Sequence, residues 1–315
     1  MLSVIVTTKN EAANIAACLR SFDGFDVERI VVDNGSTDDT KKIAAELGAI
    51  VLDKGPERSA QRNLGWRTAK NDWVVILDAD MILPRETVEE IVKISEEVRG
   101  KSEEISEEVR GKSEEISEEV RGKSEELRSG DYINKNETSA TLHSSLFTLH
   151  SPLAYWIPEV RTGTGFRVRA RNFERSFYDG TCIDALRLFH KSVLEATGGY
   201  DENLIAGPED WELDIRILAT GAKCEVLKHN LIHNEKQLSF KRMLEKKAYY
   251  SKSMAAYRAK WPDHPAVKKQ FSPYYRFFGV FVEKGKWKKI LRHPILFCGV
   301  LFERFSVGVT YLLNR

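Results

Sequence analysis

Short apolar runs alternate with segments of helical periodicity over the first ninety residues of the chain. Four runs rich in valine and isoleucine each end in a polar turn: "SVIVTT", "RIVVDNGS", "AIVLD" and "WVVILDAD". The segments 12–22, 37–47 and 59–69 lie between these runs and have the pattern of amphipathic helices. Strands that alternate with helices predict an α/β fold whose Rossmann-like, mostly parallel sheet is flanked by helices.

An 11-residue repeat interrupts this alternation. The sequence "ISEEVRGKSEE" occurs three times without a mismatch between residues 94 and 126. A period of 11 corresponds to about 3.67 residues per helical turn, and each copy carries four Glu against one Lys and one Arg. We predict an exposed, acidic, helical insertion over 94–130. Its role is either self-association through 94–127 or none, as for a duplicated or engineered segment.

The rest of the chain has two parts. Residues 131–180 are loop-rich, and 180–235 have the pattern strand, helix, turn, helix and strand. The tail, 236–315, is basic, aromatic and helical. We therefore predict a catalytic domain in two halves, 1–93 for the nucleotide and 131–235 for the acceptor, followed by the tail.

The composition and the cysteine spacing bear on the cellular compartment in which the protein is expected. With 42% hydrophobic and 30% charged residues and a formal charge of +1, the chain has the composition of a globular protein. Its four cysteines lie far apart without C-x-x-C pairing, which argues against a zinc knuckle and against a disulfide framework. The N-terminus lacks the order of regions that a secretory signal needs. We expect a catalytic part that faces the cytoplasm.

Asp78 and Asp80 stand where a strand that should be buried ends. In open α/β sheets, ligands bind beyond the carboxyl ends of the strands. Two carboxylates so close together repel each other unless a divalent cation is shared between them and an anionic ligand. Because oxygen ligands favour Mg²⁺ or Mn²⁺, we predict one of these two ions. Acidic pairs are also common in turns, so this motif alone is weak.

Polar residues after the first two strands strengthen the prediction. They are Thr7, Thr8 and Glu11 after the first strand, and Asp33, Asn34 and Ser36 after the second. Three strand ends thus direct polar groups to one edge of the sheet. Asp33 could accept a hydrogen bond from a nucleotide base, although "NGSTDDT" is also good turn and helix-capping sequence. The two interpretations are compatible.

Six segments, taken in order, resemble the inverting family-2 glycosyltransferases of the GT-A fold. They are "VIVTTKNEAANIAACLRSF", "IVVDNGSTDDT", "RSAQRNLGW", "ILDADM", "GGYDE" and "GPEDWELDIRILATGAK". The match covers about 1–93 and 180–235. The resemblance implies a UDP- or GDP-linked sugar donor, a metal held by D-x-D, and attack by an acceptor hydroxyl with inversion.

The resemblance also implies roles by position. The residues implied to contact the nucleoside are Thr7, Glu11, Asp33 and Arg58. Asp78 and Asp80 are implied to contact the diphosphate and the metal, and Asp210 to be the catalytic base. The same motifs add three residues to the predicted donor site, namely Asn34, Arg62 and Ala79.

Chemistry supports a base at "GPEDWE" independently. Displacement at an anomeric carbon needs a base within hydrogen-bond reach of the incoming hydroxyl and neutralisation of the departing diphosphate. Glu209 and Asp210 follow a Gly-Pro turn at a helix start, where the helix dipole favours carboxylates. An isolated Glu-Asp pair is usually an ordinary helix start, but the upstream D-x-D favours catalysis.

A histidine near the last strand of the predicted fold often completes the metal shell in the resembling family. His229 and His233 are rival candidates, and we favour His233 as the third metal ligand.

Five arginines crowd "RTGTGFRVRARNFER": Arg161, Arg167, Arg169, Arg171 and Arg175. Arginine forks suit phosphate oxygens, so this segment either holds a phosphorylated acceptor or is a solvated basic loop. The acceptor is predicted to be lipid-linked or a glycan.

The tail carries a strong local charge. Between 240 and 293 there are fifteen Lys or Arg against three acidic residues, interleaved with aromatic residues, as at a bilayer surface. The apolar segment 294–313 has Glu303 and Arg304 at its centre, and each charge costs roughly 2.5–3.5 kcal/mol at mid-bilayer. We therefore predict that 240–315 lies in the membrane interface rather than spanning it. The alternative is a soluble helical subdomain packed on the catalytic core. Nucleic acid is not an expected partner, because no binding motif accompanies the charge.

Two other functions compete with glycosyl transfer. A sugar-phosphate nucleotidyltransferase should have a Gly-rich, basic loop after the first strand, and "TTKNEAAN" lacks one. A non-catalytic membrane scaffold would act only through the repeats and the tail. Dinucleotide oxidoreduction is disfavoured because G-x-G-x-x-G is absent.

Overall fold

A seven-stranded sheet forms the centre of the computed structural model, which describes residues 1–98, 100, 151–204, 207–234 and 253–313, with side chains up to 305. Its first half is wound from four parallel strands: β1 (Leu2–Thr8), β2 (Val27–Asp33), β3 (Ile50–Asp53) and β4 (Trp73–Asp78). Three helices connect them: α1 (Ile15–Arg20), α2 (Thr40–Glu46) and α3 (Arg58–Thr68).

The second half completes the sheet. Its strands are β6 (Ala154–Trp156), β8 (Leu186–His190) and β9 (Cys224–Val226), and the spatial order is β3-β2-β1-β4-β8-β6-β9. Strand β8 runs antiparallel to its neighbours β4 and β6, whereas β9 is parallel to β6. The predicted mostly parallel sheet is therefore confirmed.

A second, three-stranded sheet stands beside the first and has the order β5-β10-β7. Its strands are β5 (Met81–Ile82), β7 (Glu159–Arg161) and β10 (Leu231–His233). Strand β5 comes directly after β4, so the small sheet brings β10 next to the end of β4. This pairing positions much of the candidate site.

Buried apolar residues cover both faces of the large sheet because neighbouring residues of a strand point to opposite faces. Val4, Val6 and Val31 belong to the core on one face, and Ile5 and Ile30 to the core on the other. Helix α3 packs so closely on the second face that a Cβ at Gly65 would lie 2.3 Å from Ile5 Cγ2. A strand buried on both faces is typical of parallel sheets.

Four more helices follow the first half of the sheet: α4 (residues 85–98), α5 (Phe166–Arg175), α6 (Lys191–Thr197) and α7 (Glu209–Ala219). Helix α4 continues across the predicted boundary at 93, and Val98 is buried in the core. The repeats beyond residue 100 lie outside the described residues, so the prediction of a helical insertion stays a prediction.

The part of the tail that the structure describes, residues 253–313, is helical, as predicted. Its elements are α8 (Met254–Lys260), α9 (Pro265–Phe271), a π-helical turn (Tyr275–Gly279), α10 (Val280–Val282), a 3₁₀ turn (Glu283–Gly285), α11 (Trp287–Arg292) and α12 (Pro294–Leu313). Among the helices described, none is both long enough and apolar enough for a membrane span.

One prediction about local structure is wrong. The described part of the segment predicted to be loop-rich contains β6, β7 and the ten-residue helix α5. Ala170 and Phe173 of α5 are buried against the tail, and Val168 separates two of the arginines. The helix forms because these apolar positions share one face.

Candidate active site

The carboxyl ends of β1, β2 and β4 form one edge of the large sheet, called here the sheet rim. In register, Thr8 lies opposite Asp33, and Thr7 lies opposite Asp78. Thr7 Oγ1 donates a hydrogen bond to Asp78 Oδ1 at 3.0 Å. The prediction that three strand ends direct polar groups to one place is confirmed.

Asp33 caps the turn after β2. Its carboxylate accepts hydrogen bonds from the backbone N–H of Ser36 at 2.6 Å and from Ser36 Oγ at 2.5 Å. The side chain is fully buried. The capped-turn interpretation of Asp33 is therefore confirmed, and the contact with a nucleotide base stays a prediction.

Glu11 and Asn34 border the same turn. Glu11 Oε2 accepts a hydrogen bond from Asn14 Nδ2 at 2.6 Å, and Asn34 Nδ2 donates to the carbonyl of Pro56 at 2.7 Å. Both residues of the predicted donor site thus lie at the sheet rim and are held by neighbouring residues.

Two arginines of α3 reach Asp78. Arg58 and Arg62 each place a guanidinium nitrogen 3.5 Å from a carboxylate oxygen of this residue. Burial alone would raise the pKa of Asp78, but the charges of Arg58, Arg62 and Arg187 outweigh burial and hold the pKa well below its ordinary value. Asp78 is therefore ionised, and its charge is balanced by the protein.

Arg62 also reaches the predicted catalytic acids. Its Nη1 lies 2.5 Å from Asp210 Oδ1 and 3.6 Å from Glu209 Oε1. The side chain is 1% exposed and stacks over the Tyr200 ring. One buried cation thus connects the sheet rim to the start of α7.

Glu209 and Asp210 occupy different environments. Glu209 is buried, and burial followed by the charge of Asp210 raises its pKa. Its Oε2 has no hydrogen-bond partner among the described residues. Asp210 is more exposed and is paired with Arg62. Of the two candidates, Asp210 is better placed to receive a proton from a bound molecule.

Asp80 and His233 face each other across the small sheet. His233 Nε2 lies 3.1 Å from Asp80 Oδ2, and its Nδ1 lies 2.8 Å from Glu159 Oε1. Burial lowers the pKa of His233, but the hydrogen bonds to Asp80 and Glu159 outweigh it and raise the pKa to about 9. The rival His229 lies at the surface beside Glu90. Of the two histidines, the structure brings only His233 to Asp80.

The predicted metal residues do not form a ready cage. Within the described ranges, no group of three or more His, Cys, Asp or Glu side chains is arranged to hold a metal ion. Asp80 and His233 nevertheless offer an oxygen and a nitrogen to one point, while Asp78 is engaged by arginine. This donor pair suits Mn²⁺ or Mg²⁺ if a ligand supplies further oxygens.

The remaining predicted residues have structural contacts. Ala79 is buried, and its N–H donates to the carbonyl of Thr7 at 3.3 Å. Three of the five clustered arginines are paired with carboxylates: Arg167 with Glu303, Arg171 with Glu174, and Arg175 with Glu159.

Sequence reasoning missed Glu159, Arg187 and Tyr200. Glu159 stands in a three-residue strand without a motif, so no local signal marks it. Tyr200 lies in "GGYDE", a segment that the resemblance includes without a role for the tyrosine. Their relevance comes from the tertiary structure: Glu159 bonds to His233, the charge of Arg187 acts on Asp78, and the Tyr200 ring lies under Arg62.

Comparisons with known proteins agree with the fold. Residues 3–114 match the family model described as Glycosyl transferase family 2. An uncharacterized glycosyltransferase of Rickettsia prowazekii is 44% identical over 92 residues, which are 29% of this chain and 31% of the relative. The match thus spans about a third of the relative's length.

Two solved structures share the fold over most of the chain. TarS 1–349 of S. aureus, solved with UDP-GlcNAc, has a TM-score of 0.52 at 16% identity and covers 88% of this chain and 72% of its own. A mannosyltransferase of Pyrobaculum calidifontis, solved with GDP-Man and Mn²⁺, has a TM-score of 0.51 at 15% identity and covers 99% and 80%. At such identities the likeness concerns the fold alone. Residues 3–114, which carry β1 to β4 and the acidic pair, are thus similar to glycosyl transferase family 2, and the chain shares the fold of these two glycosyltransferase structures.

Proposed function

We propose that this protein transfers a sugar from a UDP- or GDP-linked donor to an acceptor hydroxyl or phosphate, with inversion at the anomeric carbon. The observation that carries the proposal is the position of Arg62, which contacts Asp78 at the sheet rim and Asp210 at the start of α7. The predicted donor site and the predicted base therefore lie within the reach of one side chain. The solved relatives with UDP-GlcNAc and with GDP-Man support the donor class.

In this proposal the acceptor attacks the anomeric carbon from the face opposite the diphosphate. The new carbon–oxygen bond forms as the bond to the diphosphate oxygen breaks, and that oxygen keeps the electron pair. Asp210 accepts the proton of an attacking hydroxyl, as a general base within hydrogen-bond distance would. Arg62 holds the Asp210 carboxylate in place before the acceptor arrives.

The departing diphosphate needs positive charge. Arg58, whose side chain is partly exposed beside Asp78, is positioned to contact it. Asp80 and His233 would hold Mn²⁺ or Mg²⁺, which when bound supplies further charge to the leaving group. Glu159 orients His233 through the hydrogen bond to Nδ1, as outer-shell carboxylates do for metal-bound histidines.

The acceptor is proposed to be lipid-linked or a glycan, and the catalytic part to lie at the cytoplasmic face of a membrane. Support for this location comes from cysteines 18, 182, 224 and 298, all of which are free thiols, as in a reducing compartment. The apolar and basic surface of the tail, described below, is the second support.

Donor binding is tested by thermal shift and calorimetry with UDP-GlcNAc and GDP-mannose, each with and without Mn²⁺. We expect one donor to bind in a Mn²⁺-dependent way, and Asp80→Ala to weaken that binding by at least about tenfold, the scale of losing a metal ligand or its support. Asp263→Ala, at an exposed carboxylate paired with Lys268, is the control and should bind as the wild type does. Mn²⁺-dependent binding that Asp80→Ala leaves unchanged would remove Asp80 from the metal site.

A further inference from the structure

The last helix, α12, is apolar on two opposite sides. Phe297 and Val300 pack into a core shared with α5 and α10. On the other side, Ile295 is 73% exposed and Phe305 is 70% exposed, with Leu301 also exposed between them. We call this exposed side the outer face of α12.

The two charges in the middle of α12 do not lie on the outer face. Glu303 Oε1 accepts a hydrogen bond from Arg167 of α5 at 2.8 Å. Arg304 donates to Glu174 at 2.7 Å and to the hydroxyl of Tyr178 at 2.7 Å. From Ile295 to Phe305 these are the only charged residues of the sequence. The protein therefore neutralises both charges on its own side and leaves the outer face uncharged.

Helix α11, which directly precedes α12, carries exposed cationic side chains. Lys288 and Arg292 of α11 are exposed, next to exposed Trp287 and Leu291. Three other lysines of this region are engaged instead. Lys284, Lys286 and Lys289 donate to backbone carbonyls of residues 176–180 after α5. The exposed positive charge of α11 thus lies on the helix that directly precedes α12 and contacts it.

We propose that the outer face of α12, together with α11, lies in the surface of a bilayer that contains anionic lipid. An exposed apolar helix face flanked by aromatic and basic residues is the pattern of helices that bind the membrane interface. Contact between two copies of this chain is less favourable. In a two-fold contact the outer face of one copy would meet that of the other, and it offers Lys288 and Arg292 no anionic partner, because the one acidic residue between 295 and 305, Glu303, is paired with Arg167.

This inference deepens the proposed function and rests on it for the identity of the acceptor. Helix α12 packs on α5, α5 packs on β7, and β7 pairs with β10, which carries His233. The proposed membrane surface is thus connected to the predicted metal pair through two intervening elements. Such an arrangement fits an acceptor whose reactive end projects from a membrane.

Vesicle flotation of the full chain tests the inference without requiring turnover, so its failure is distinct from failure of the transfer reaction. We expect the wild type to float with vesicles of phosphatidylcholine and phosphatidylglycerol and to float less with phosphatidylcholine alone. Ile295→Gln with Phe305→Gln should lower the partition coefficient at least about tenfold because two interfacial side chains lose apolar area. Lys288→Gln with Arg292→Gln should lower it by about tenfold for anionic vesicles only.

The matched control is Leu218→Gln, which alters an apolar side chain that is 50% exposed on α7 and should leave flotation unchanged. Equal flotation of the wild type and of both double variants would overturn the proposal. A dimer would also overturn the proposal. In that case the wild type would not float, would sediment as a dimer, and would lose the dimer in the variant Ile295→Gln with Phe305→Gln. If that variant does not fold, the Lys288 and Arg292 variant decides the question alone.

Discussion

At the scale of single residues, the site depends on a buried arginine. Arg62 meets Asp78, Glu209 and Asp210 with almost no access to solvent. A buried charge of this kind is tolerated only with partners, and removal of one partner leaves the others uncompensated. Arg62 therefore serves both the stability of the fold and the position of the proposed base.

Arg62→Gln should destabilise the protein by roughly 3–5 kcal/mol, because buried Glu209 and the partly exposed Asp78 and Asp210 lose their shared cation. The free energy of unfolding, measured with urea, checks this. Arg67→Gln on the same helix is the control, because Arg67 is half-exposed and lies 3.9 Å from Glu202. It should cost less than about 1 kcal/mol. Equal losses for both variants would contradict the role given to Arg62.

The environment of buried Asp184 should make the stability of the fold depend on pH. It accepts hydrogen bonds from the N–H groups of Gly180 and Ala185, yet burial outweighs these and the charge of Arg175 and raises its pKa to about 7. The unfolded carboxyl titrates near 3.9, so the folded state binds more protons between these values. Stability contributed by the protonated form is present below about pH 4 and is lost as the pH rises through 7.

Asp184→Asn should therefore flatten the fall in unfolding free energy between pH 5 and pH 8, measured by urea titration at each pH. Asp263→Asn, at a side chain that is 91% exposed, should keep the wild-type slope. An unchanged slope in Asp184→Asn would show that another group causes the dependence.

The sequence predicted the residues of the rim better than those that surround it. Asp33 and Asp78 follow β-branched runs, and their position comes from local pattern. The choice of His233 over His229 needs the pairing of β10 with β5, a contact between residues about 150 positions apart. No local pattern carries that information.

At the scale of elements, α5 and α12 pack together, but sequence periodicity predicted only α12 as a helix. The arginines of "FRVRARNFER" conceal the apolar face made by Ala170 and Phe173, so the helix was predicted as loop. Glu303 and Arg304 counted against membrane insertion of 294–313, whereas their contacts place them between the two helices. The number of charged residues in a segment therefore does not show whether a helix can contact a membrane, because the charges can be paired within the protein on one side of the helix.

Arg304→Ala should loosen α12. Its partner Glu174 is buried and would keep only the half-exposed Arg171 as a cationic partner, so the loss should cost about 3 kcal/mol, the low end for breaking a buried ion pair. Hydrogen exchange of α12 amides should accelerate, and limited proteolysis should cleave within the tail. The control is Arg167→Ala, which removes an ion pair to the same helix whose arginine is 84% exposed and should cost under about 1 kcal/mol. Unchanged exchange in Arg304→Ala would show that apolar packing alone holds the helix.

At the scale of the whole molecule, the sheet gathers residues distant in sequence at one edge. Strand and helix alternation in the first ninety residues was enough to predict this architecture, and a ligand at this edge stays a prediction. The reversed strand β8 and the three-residue strands of the small sheet were not predicted as such. Such short strands contain too few residues to show a regular alternation of apolar and polar positions. Both are set by pairing across the sheet.

Helix α5 and strand β7 connect the proposed membrane surface to the strand that carries His233. A donor would enter at the sheet rim from water, and an acceptor would approach from the side of α12. Donor binding is thus proposed to depend on the sheet rim, and sugar transfer is proposed to depend on Asp210.

The most direct test of the central claim compares Asp210→Asn with the wild type for one donor that binds. The account predicts an unchanged dissociation constant for the sugar nucleotide by calorimetry, together with a loss of about 10²–10⁴-fold in the rate of nucleoside diphosphate release, the range of general-base catalysis. Release at the wild-type rate from Asp210→Asn would contradict the account.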